Sequence, residues 1–542
     1  MKNFYLFIVF FLFFTLLSNS AKAQETAIQN GLDAINKKAI EAQLEFLSSN
    51  WMEGRATGEK GEFIAADYLA SMLQFMGIDP AGDKEFSQPT RAQRWAGVRP
   101  QEYNTYFQNI PMIKYIENNS QISLLINNSE LTFQKNIDYS ISSYSNNISY
   151  TAAVVFVGYG FTDEKSGYDD YRGIDIKNKI IIRLSGYPGS KDIDSEGYKR
   201  FSGSYGNDYM LERNKNKKAM DNGALAVIAI ADQEETKNWA INKDANQLAL
   251  NEKPFPKIYN QSLEIKTDSI KNELMQIWAN PTMINKLLEN TGINITRFEK
   301  KVASTLKPES KIVKDAKLKI SINNTTELIN TRNVLGVIEG ENKDEIIVIG
   351  GHYDHLGTND GFVWNGADDN ASGTVGVWML AKAFAASGVK PRKTIVFAAW
   401  TGEERGLLGS KYFTDKPYGG KIDQVKLYVN YDMISKDSPN DSLKNQARLV
   451  YTKSFEKFET MSAKNITDYN LNLKMIYRPS ENPRGGSDHS SFSAKNVPIM
   501  YFMAGFPADY HTPTDETDDI NWNKMVDIIK LTFLNVWEIA NE

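Results

Sequence analysis

The sequence contains no cysteine. This absence excludes disulfide bonds, thiolate metal ligands and a cysteine nucleophile. Stability therefore has to come from a large apolar core, and a chain of 542 residues is long enough for about two or three domains. Histidine is almost as scarce, because the whole chain holds only His352, His355, His489 and His511. Since an imidazole can bind a metal or carry a proton, each histidine is a candidate functional residue.

Clustered positive charge is also missing. The chain has 62 Lys and Arg against 67 Asp and Glu, which gives a net charge of −5 with both signs mixed throughout. A phosphate-binding surface needs clustered basic residues, so the composition argues against nucleic acid as the main partner. Apolar residues make up 41% and charged residues 24% of the chain, as is usual for a folded, soluble protein.

Long apolar runs are confined to the N-terminus. Lys2 precedes the apolar stretch Phe4–Leu17, and a triplet of the A-x-A type, AKA, follows at positions 21–23. This order is typical of a secretory signal peptide, so we predict that residues 1–23 are removed and that the mature chain begins at Gln24. An uncleaved membrane anchor is the alternative, although the stretch is short for a bilayer span. We therefore expect a periplasmic or secreted protein without stable membrane insertion.

The remaining chain divides into three stretches by its hydrophobic pattern. Residues 24–118 open with apolar residues at helical spacings, among them Leu69 and Leu73. Residues 119–324 hold short β-type runs between turn residues, which indicates a smaller strand-rich module inserted into a larger domain. In residues 325–542, apolar strands alternate with helices. We therefore predict a discontinuous main domain of the α/β class, with a mostly parallel sheet sandwiched by helices.

The third stretch contains the clearest predicted elements. Four near-continuous apolar runs predict buried strands at Glu345–Gly350, Thr394–Trp400, Val425–Tyr431 and Pro498–Met503. Helical patterns predict helices at Ala371–Ser387 and Asn523–Ala540.

Metal-binding residue types follow these strands or open the next helix. They are His352, Asp369, Glu403, Glu404, Asp432 and His511. In α/β sheets the carboxyl ends of the strands form the edge at which ligands bind. Imidazoles and carboxylates together suit two divalent cations, with one carboxylate bridging them. Because no thiolate is present, this donor set favours zinc over manganese or cobalt.

Several of these residues also have an ordinary structural interpretation. Asp369 on its own is more typical of a helix N-cap than of a metal ligand. Glu403 and Glu404 could form a solvated loop, or they could divide two roles, one binding metal and the other moving a proton. Asp354 is close enough to His352 in sequence to accept a hydrogen bond and fix the tautomer of the imidazole.

Five motifs occur in one order along the third stretch. They read GGHYDHLG at 350–357, GADDNASG at 366–373, WTGEERGLLGS at 400–410, NYDMI at 430–434 and YHTPTD at 510–515. With these motifs the sequence resembles the M28 family of zinc peptidases from about residue 330 to 540, and the opening helices extend the likeness. The module at 119–324 is more loosely similar to a protease-associated domain, through VVFVGYG at 154–160 and GALAV at 223–227.

The resemblance implies a two-zinc centre in which Asp369 bridges the ions. The first zinc would also be held by His352 and Asp432. The second would also be held by Glu404 and His511. No ligand position of the family is missing from the sequence.

The resemblance also implies an activity. Glu403 would be the general base, Tyr510 would help to stabilise the oxyanion, and Asp354 would support catalysis beside the first zinc. The motif further predicts a cis peptide bond between Asp369 and Asn370. The expected reaction is hydrolysis of peptide substrates at their N-termini, since a negatively lined site can hold a free amino group.

Other side chains and other functions stay open as alternatives. His355 and His489 are interpreted as structural hydrogen-bonding residues, and neither is expected to bind metal. Arg478 and Arg484 could reach a substrate carboxylate, although they could equally be surface residues. A glutaminyl cyclase-like transferase and a non-catalytic binding protein are the competing functions on this fold. Loss of metal ligands would favour either one, and none is lost.

Overall fold

The computed structural model describes residues 23–127, 129–141, 147–203, 208–231, 261–265, 274–359, 361–455 and 457–542. The predicted signal peptide lies outside these residues except for its last position. Across the described ranges, no helix combines the length and the apolar character needed to cross a membrane. The chain forms two compact units: the first joins the residues up to Met112 with Leu328–Glu542, and the second is Ile113–Glu327.

The first unit is built on a mixed sheet. Its strands, numbered in chain order, are β1 (Asp79–Pro80), β2 (Lys311–Ile338, through its C-terminal part), β3 (Asn342–His352), β4 (Lys393–Trp400), β5 (Val425–Tyr431), β6 (Gln446–Thr452), β7 (Lys474–Ser480) and β8 (Ile499–Met503). They are arranged in the order β7-β6-β8-β5-β3-β4-β2-β1. The central strands β8, β5, β3 and β4 are parallel, so their carboxyl ends meet at one edge of the sheet.

This sheet confirms the predicted fold class, and all four predicted strands are present with small shifts at their ends. The strands lack an apolar–polar alternation because both faces of the sheet are covered. In β3, for example, Ile347 and Ile349 pack into one apolar cluster. Ile346 and Val348 point to the opposite face and pack into another.

Helices cover both faces of the first unit. Residues 23–34 are helical. The helices that follow are α1 (Lys37–Leu47), α2 (Lys60–Phe75), α3 (Arg91–Trp95), α4 (Gly373–Ser387), α5 (Leu408–Asp415), α6 (Lys457–Asp468), α7 (His489–Ser493) and α8 (Trp522–Asn541). Trp378 of α4 and Phe533 of α8 belong to the larger cluster, which also takes in α1, α2 and α6. Phe413 of α5 and Phe492 of α7 pack on the other face.

Shorter elements complete the first unit. They are 3-10 turns at Asn50–Arg55, Ile422–Gln424 and Thr517–Asp519, a π-helical turn at Ala367–Ser372, and hairpins that pair Lys84–Phe86 with Glu102–Asn104 and Gly357–Asn359 with Phe362–Trp364.

The second unit has its own apolar core. Its helices are Glu196–Phe201, Asp208–Asp221, Pro281–Leu288 and Ile295–Thr305, with a 3-10 turn at Glu289–Thr291. Its strands are Phe107–Ile126 (from Ile113 on), Ser129–Phe133, Tyr139–Ile141, Ile148–Phe156, Thr162–Asp163, Tyr168–Asp169, Ile180–Arg183, Ala226–Ile230, Gln261–Ile265, Met275–Ala279 and the first part of Lys311–Ile338. Four of these strands form a parallel core in the order 148–156, 180–183, 226–230 and 275–279.

Candidate metal centre

The parallel strands deliver the candidate ligands to the edge at which they end. His352 is the last residue of β3, and Asp432 follows β5 directly. Glu403 and Glu404 lie in the loop that follows β4, and His511 lies in the loop after β8. This placement follows from the parallel topology, because each of these strands points its carboxyl end toward the same edge.

The two oxygens of Asp369 face two different imidazoles. Oδ1 lies 3.3 Å from Nε2 of His352, and Oδ2 lies 3.0 Å from Nε2 of His511. The same His352 nitrogen is 3.5 Å from Oδ1 of Asp432. The same His511 nitrogen is 3.3 Å from Oε2 of Glu404. Two ligand groups therefore share one carboxylate between them.

These distances suit a metal ion. Ligands at about 2.0–2.1 Å from a tetrahedral zinc stand roughly 3.3 Å from one another, close to the separations found here. His352, Asp369 and Asp432 are all buried. Oδ1 of Asp432 is buried and accepts no hydrogen bond from any described residue. A buried carboxylate oxygen that accepts no hydrogen bond destabilises the folded protein unless a cation neutralises it. The donor set and its geometry thus fit divalent cations.

The N-cap interpretation of Asp369 does not hold. Helix α4 begins at Gly373 rather than at Ala371, because Asp369 and Asn370 have non-helical backbone angles within a π-helical turn. The side chain of Asn370, not that of Asp369, accepts the main-chain N–H of Gly373 at 3.0 Å. The peptide bond between Asp369 and Asn370 is cis, as the motif predicts.

The adjacent glutamates sit in different electrostatic surroundings. Burial raises the pKa of Glu403 well above its usual range, and the nearby Glu404 carboxylate adds to the shift. Burial and the Asp369 charge would also raise the pKa of Glu404, but the close contacts of its oxygens with the imidazoles of His355 and His511 lower it to about 2. Two carboxyl groups whose environments separate their pKa values can divide a proton-transfer role from a charged role.

Asp354 is buried and contacts both His352 and the loop that carries Glu403. Its main-chain oxygen, rather than its carboxylate, lies within hydrogen-bond distance of Nδ1 of His352, at 3.1 Å. Its carboxylate Oδ1 accepts the N–H of Glu403 at 3.1 Å, and Oδ2 accepts the hydroxyl of Thr57 at 2.8 Å. The predicted contact of Asp354 with the imidazole thus exists, but through the backbone. The carboxylate instead orients the segments that carry Glu403 and Thr57.

Arg55 is a further residue of the site that the sequence did not indicate. Its guanidinium is buried and donates to the carbonyls of Tyr353 at 2.8 Å and Asn365 at 2.7 Å. It also donates to the carbonyls of Leu47 and Gly366. The side chain of Arg55 therefore joins the N-terminal segment to the chain directly after His352 and to the chain just before Asp369. Its sequence neighbourhood, EGRATG at 53–58, is rich in turn-forming residues, and this pattern says nothing about the partners of Arg55.

Tyr510 lies beside the second imidazole. Its ring stacks on that of His511, with centroids 3.7 Å apart and planes at 22°. Burial raises the pKa of Tyr510, and the Asp369 carboxylate adds to the shift, so the phenol keeps its proton. Tyr510 is thus held as a hydrogen-bond donor at the edge of the ligand cluster.

The other singled-out residues take different positions. His489 is buried and stacks on Tyr501, with centroids 4.5 Å apart. Arg478 and Arg484 are exposed. His355, in contrast, lies inside the cluster, with Nδ1 2.8 Å from Oε1 of Glu404.

Comparison with known proteins relates the stretch of chain that carries this centre to a known family. Residues 333–536 match the family model of Peptidase family M28. This match confirms, for residues 333–536, the likeness to the family that the motifs indicate. "Leucine aminopeptidase 2" of Arthroderma otae is 27% identical over 238 residues, which cover 39% of this chain and 45% of that protein. "Leucine aminopeptidase 2" of Trichophyton equinum is 29% identical over 202 residues, or 36% of this chain and 38% of that protein. The chain thus matches less than half the length of these relatives.

One solved structure aligns with most of the chain. The aminopeptidase from Aneurinibacillus sp. strain AM-1 aligns with a TM-score of 0.56 at 18% identity, covering 95% of this chain and 96% of that one. At this level of identity the likeness concerns the fold alone, and it extends over both compact units.

Proposed function

We propose that this protein is an exported, zinc-dependent aminopeptidase that hydrolyses the first peptide bond of peptides with a free N-terminus. The observation that carries the proposal is the pair of imidazoles on the two oxygens of Asp369, with Glu403 next to them. His352, Asp369 and Asp432 would hold one zinc. Asp369 would share the second with Glu404 and His511. Two cations held there would lower the pKa of a water molecule and polarise the scissile carbonyl.

Glu403 is the proposed general base. Its Oε2 lies 4.0 Å from Nε2 of His352, and its side chain is largely buried. The hydrogen bond from its own N–H to Asp354 fixes the backbone from which it projects. Glu403 takes a proton from the attacking water and delivers it to the leaving amine. A carboxyl group with a raised pKa is suited to both halves of this transfer.

Tyr510 and the remaining negative charge complete the proposed mechanism. The protonated phenol of Tyr510 donates to the oxygen of the developing tetrahedral intermediate. The carboxylates around the centre attract the ammonium group of the substrate, which favours exopeptidase over endopeptidase action. The curated relatives named above are leucine aminopeptidases, which supports the same class of reaction for this chain.

Two further parts of the proposal rest on sequence features. The N-terminal pattern at 1–23 supports export with removal of the signal peptide. The unit formed by Ile113–Glu327 is our candidate for the protease-associated domain, inserted into a catalytic domain made of the other two segments.

A substrate panel tests the proposed activity. The mature protein, freed of metal and then reloaded with zinc, is offered aminoacyl, dipeptidyl and N-acetylated aminoacyl chromogenic substrates, together with a glutaminyl peptide. We expect zinc-dependent release from aminoacyl substrates and none from the acetylated ones, because acetylation removes the positive charge. Cyclisation of the glutaminyl peptide would instead support a transferase. Full zinc binding without any turnover would support a binding protein.

A further inference from the structure

His355 lies at the candidate metal centre beside two proposed ligands, and its Nδ1 is 4.0 Å from Oδ2 of Asp369. Its Nδ1 lies 2.8 Å from Oε1 of Glu404, and the side chain is fully buried. The other nitrogen, Nε2, is buried and makes no hydrogen bond with any described residue. A buried histidine that has no functional role lowers the stability of the fold, because an apolar side chain of similar size would fill the same space without burying polar nitrogens.

The ring of His355 is held in place from two sides. On one side, the His355 N–H donates to the main-chain oxygen of Arg55 at 3.1 Å, and a bridge joins Ala56 to His355. On the other side, the ring lies against Gly366, where an added Cβ would come within 2.5 Å of the imidazole carbon Cδ2. The backbone of Gly366 has a φ of +55°, which favours glycine. The imidazole therefore has a defined orientation toward Glu404.

The spacing at Glu404 separates two kinds of contact. Oε2 of Glu404 stands 3.3 Å from Nε2 of His511, the distance expected for two ligands of one tetrahedral ion. Oε1 stands 2.8 Å from His355, the length of an N–H···O hydrogen bond. An ionised carboxylate can only accept a hydrogen bond, so Nδ1 of His355 carries the hydrogen.

We infer that His355 is a positioning residue for the second metal site. Its N–H occupies Oε1 of Glu404 and leaves Oε2 to face the cation, so that Glu404 binds through a single, oriented oxygen. This inference rests on the proposed metal centre and deepens it. Hydrogen bonds of this kind to a metal ligand typically contribute about 10–100-fold in metal affinity.

The test compares two substitutions at one position. His355→Asn keeps an N–H close to the place of Nδ1, whereas His355→Leu keeps the volume and loses the donor. Glu404→Gln serves as the reference for a damaged second site. For each full-length variant, zinc affinity is measured by competition with a chromophoric chelator, and bound zinc is counted by elemental analysis. The unfolding midpoint of the metal-free protein is measured alongside.

We expect His355→Leu to bind one of its two zinc ions about 10–100-fold more weakly, with the other ion unaffected. His355→Asn should stay within a few-fold of the parent. Equal, parent-like affinity in both variants would overturn the inference. So would complete loss of the same ion from both, because His355 would then be a ligand itself. A loss of affinity that merely follows a lowered midpoint of the metal-free protein would also overturn it.

These results are separable from the proposed function. The zinc measurements need no substrate, so a protein that binds two zinc ions but cleaves no peptide would leave the role of His355 intact. Conversely, an active aminopeptidase with normal zinc affinity in His355→Leu would refute only the role of His355.

Discussion

The carboxylate of Asp515 accepts the main-chain N–H of Asp369 at 3.0 Å. Asp515 lies four residues after the proposed ligand His511, and it therefore holds the backbone of the other proposed ligand, Asp369. Asp515 also accepts the N–H of Asp368 at 3.0 Å. The buried ammonium of Lys436 lies 3.1 Å from Asp515 and 2.6 Å from Asp509. Asp509 and Asp515 stand on either side of the loop that carries His511. This network therefore fixes the bridging carboxylate and that loop relative to each other.

We predict that Asp515→Asn is more harmful than Asp509→Asn. Oδ2 of Asp515 accepts both main-chain N–H groups, and Oδ1 faces the ammonium of Lys436. The amide NH2 group of an asparagine at 515 would therefore face another donor at whichever of the two places it took. A buried unpaired donor costs about 1–3 kcal/mol. Asp509→Asn removes charge from the same lysine but leaves Asp368 and Asp369 paired. Urea unfolding and zinc content should both show the difference, and equal losses in the two variants would contradict this account.

The hydrophobic pattern of the sequence is enough to predict the sheet and the edge at which most of the candidate ligands lie. Strands β3, β4 and β5 are continuous apolar runs because both of their faces are buried, and a parallel sheet brings their carboxyl ends together. This rule places His352 and Asp432 at one edge of the sheet, whereas their roles as metal ligands came from the family resemblance. The cluster around Asp515 could not, because Lys436 and Asp509 belong to no periodic pattern and meet only through tertiary packing.

Hydrogen bonds between the two chain segments of the first unit also could not be predicted from the sequence. Arg55 reaches the carbonyl of Tyr353 across 298 residues, and Thr57 reaches the Asp354 carboxylate across 297. Hydrogen bonds of this type depend on where two loops come to lie, which local propensities do not encode. The start of α4 was misplaced for a related reason, since Asn370 turns away from helical angles in order to cap the helix and contact Met433.

The hydroxyl of Thr57 provides a test of the contact between the two segments. Thr57→Val removes the hydrogen bond to Oδ2 of Asp354 and leaves a buried carboxylate oxygen without its donor, whereas Thr57→Ser keeps the hydroxyl. We expect Thr57→Val to lose about 1–3 kcal/mol of unfolding free energy. Turnover should also fall, because Asp354 orients the loop of Glu403. Thr57→Ser should behave like the parent, and a Thr57→Val protein of unchanged stability and turnover would contradict the role.

His489 predicts a pH dependence of stability. Burial lowers the pKa of His489 to about 4, so the imidazole is neutral in the folded protein at pH values where an unfolded chain would already be protonated. The unfolded state therefore binds more protons between its ordinary pKa of about 6.5 and the folded pKa. Stability is present above this window and is lost as the pH falls through it. At pH 5 the loss relative to neutral pH is about 2 kcal/mol.

His489→Phe removes this titration and keeps a ring to stack on Tyr501. In the metal-free protein, denaturant unfolding at pH 7 and pH 5 should show a smaller acid-dependent loss for His489→Phe than for the parent. The metal-free form avoids proton competition at the ligands. Parallel losses in the two proteins would show that the imidazole of His489 does not titrate in this range.

The last prediction separates the adjacent glutamates. Glu403 and Glu404 leave the end of β4 in different surroundings, and only Glu404 contacts both His355 and His511. Glu403→Gln should therefore keep both zinc ions and the fold, but lose the proton carrier. The rate should fall on the order of 10²–10⁴. Glu404→Gln should weaken the second zinc site, and excess zinc should restore part of its activity.

Elemental analysis and turnover of an aminoacyl substrate, measured on the same preparations, distinguish these outcomes. In Glu403→Gln the zinc content stays at the parent value while turnover collapses, and added zinc has no effect. In Glu404→Gln the two quantities fall together and recover together. The comparison is internally controlled, because both substitutions replace a carboxyl group by an amide of the same shape at neighbouring positions of one loop. A fully active Glu403→Gln protein would refute the role of Glu403 as general base. Loss of zinc from Glu403→Gln but not from Glu404→Gln would show that the two roles are exchanged.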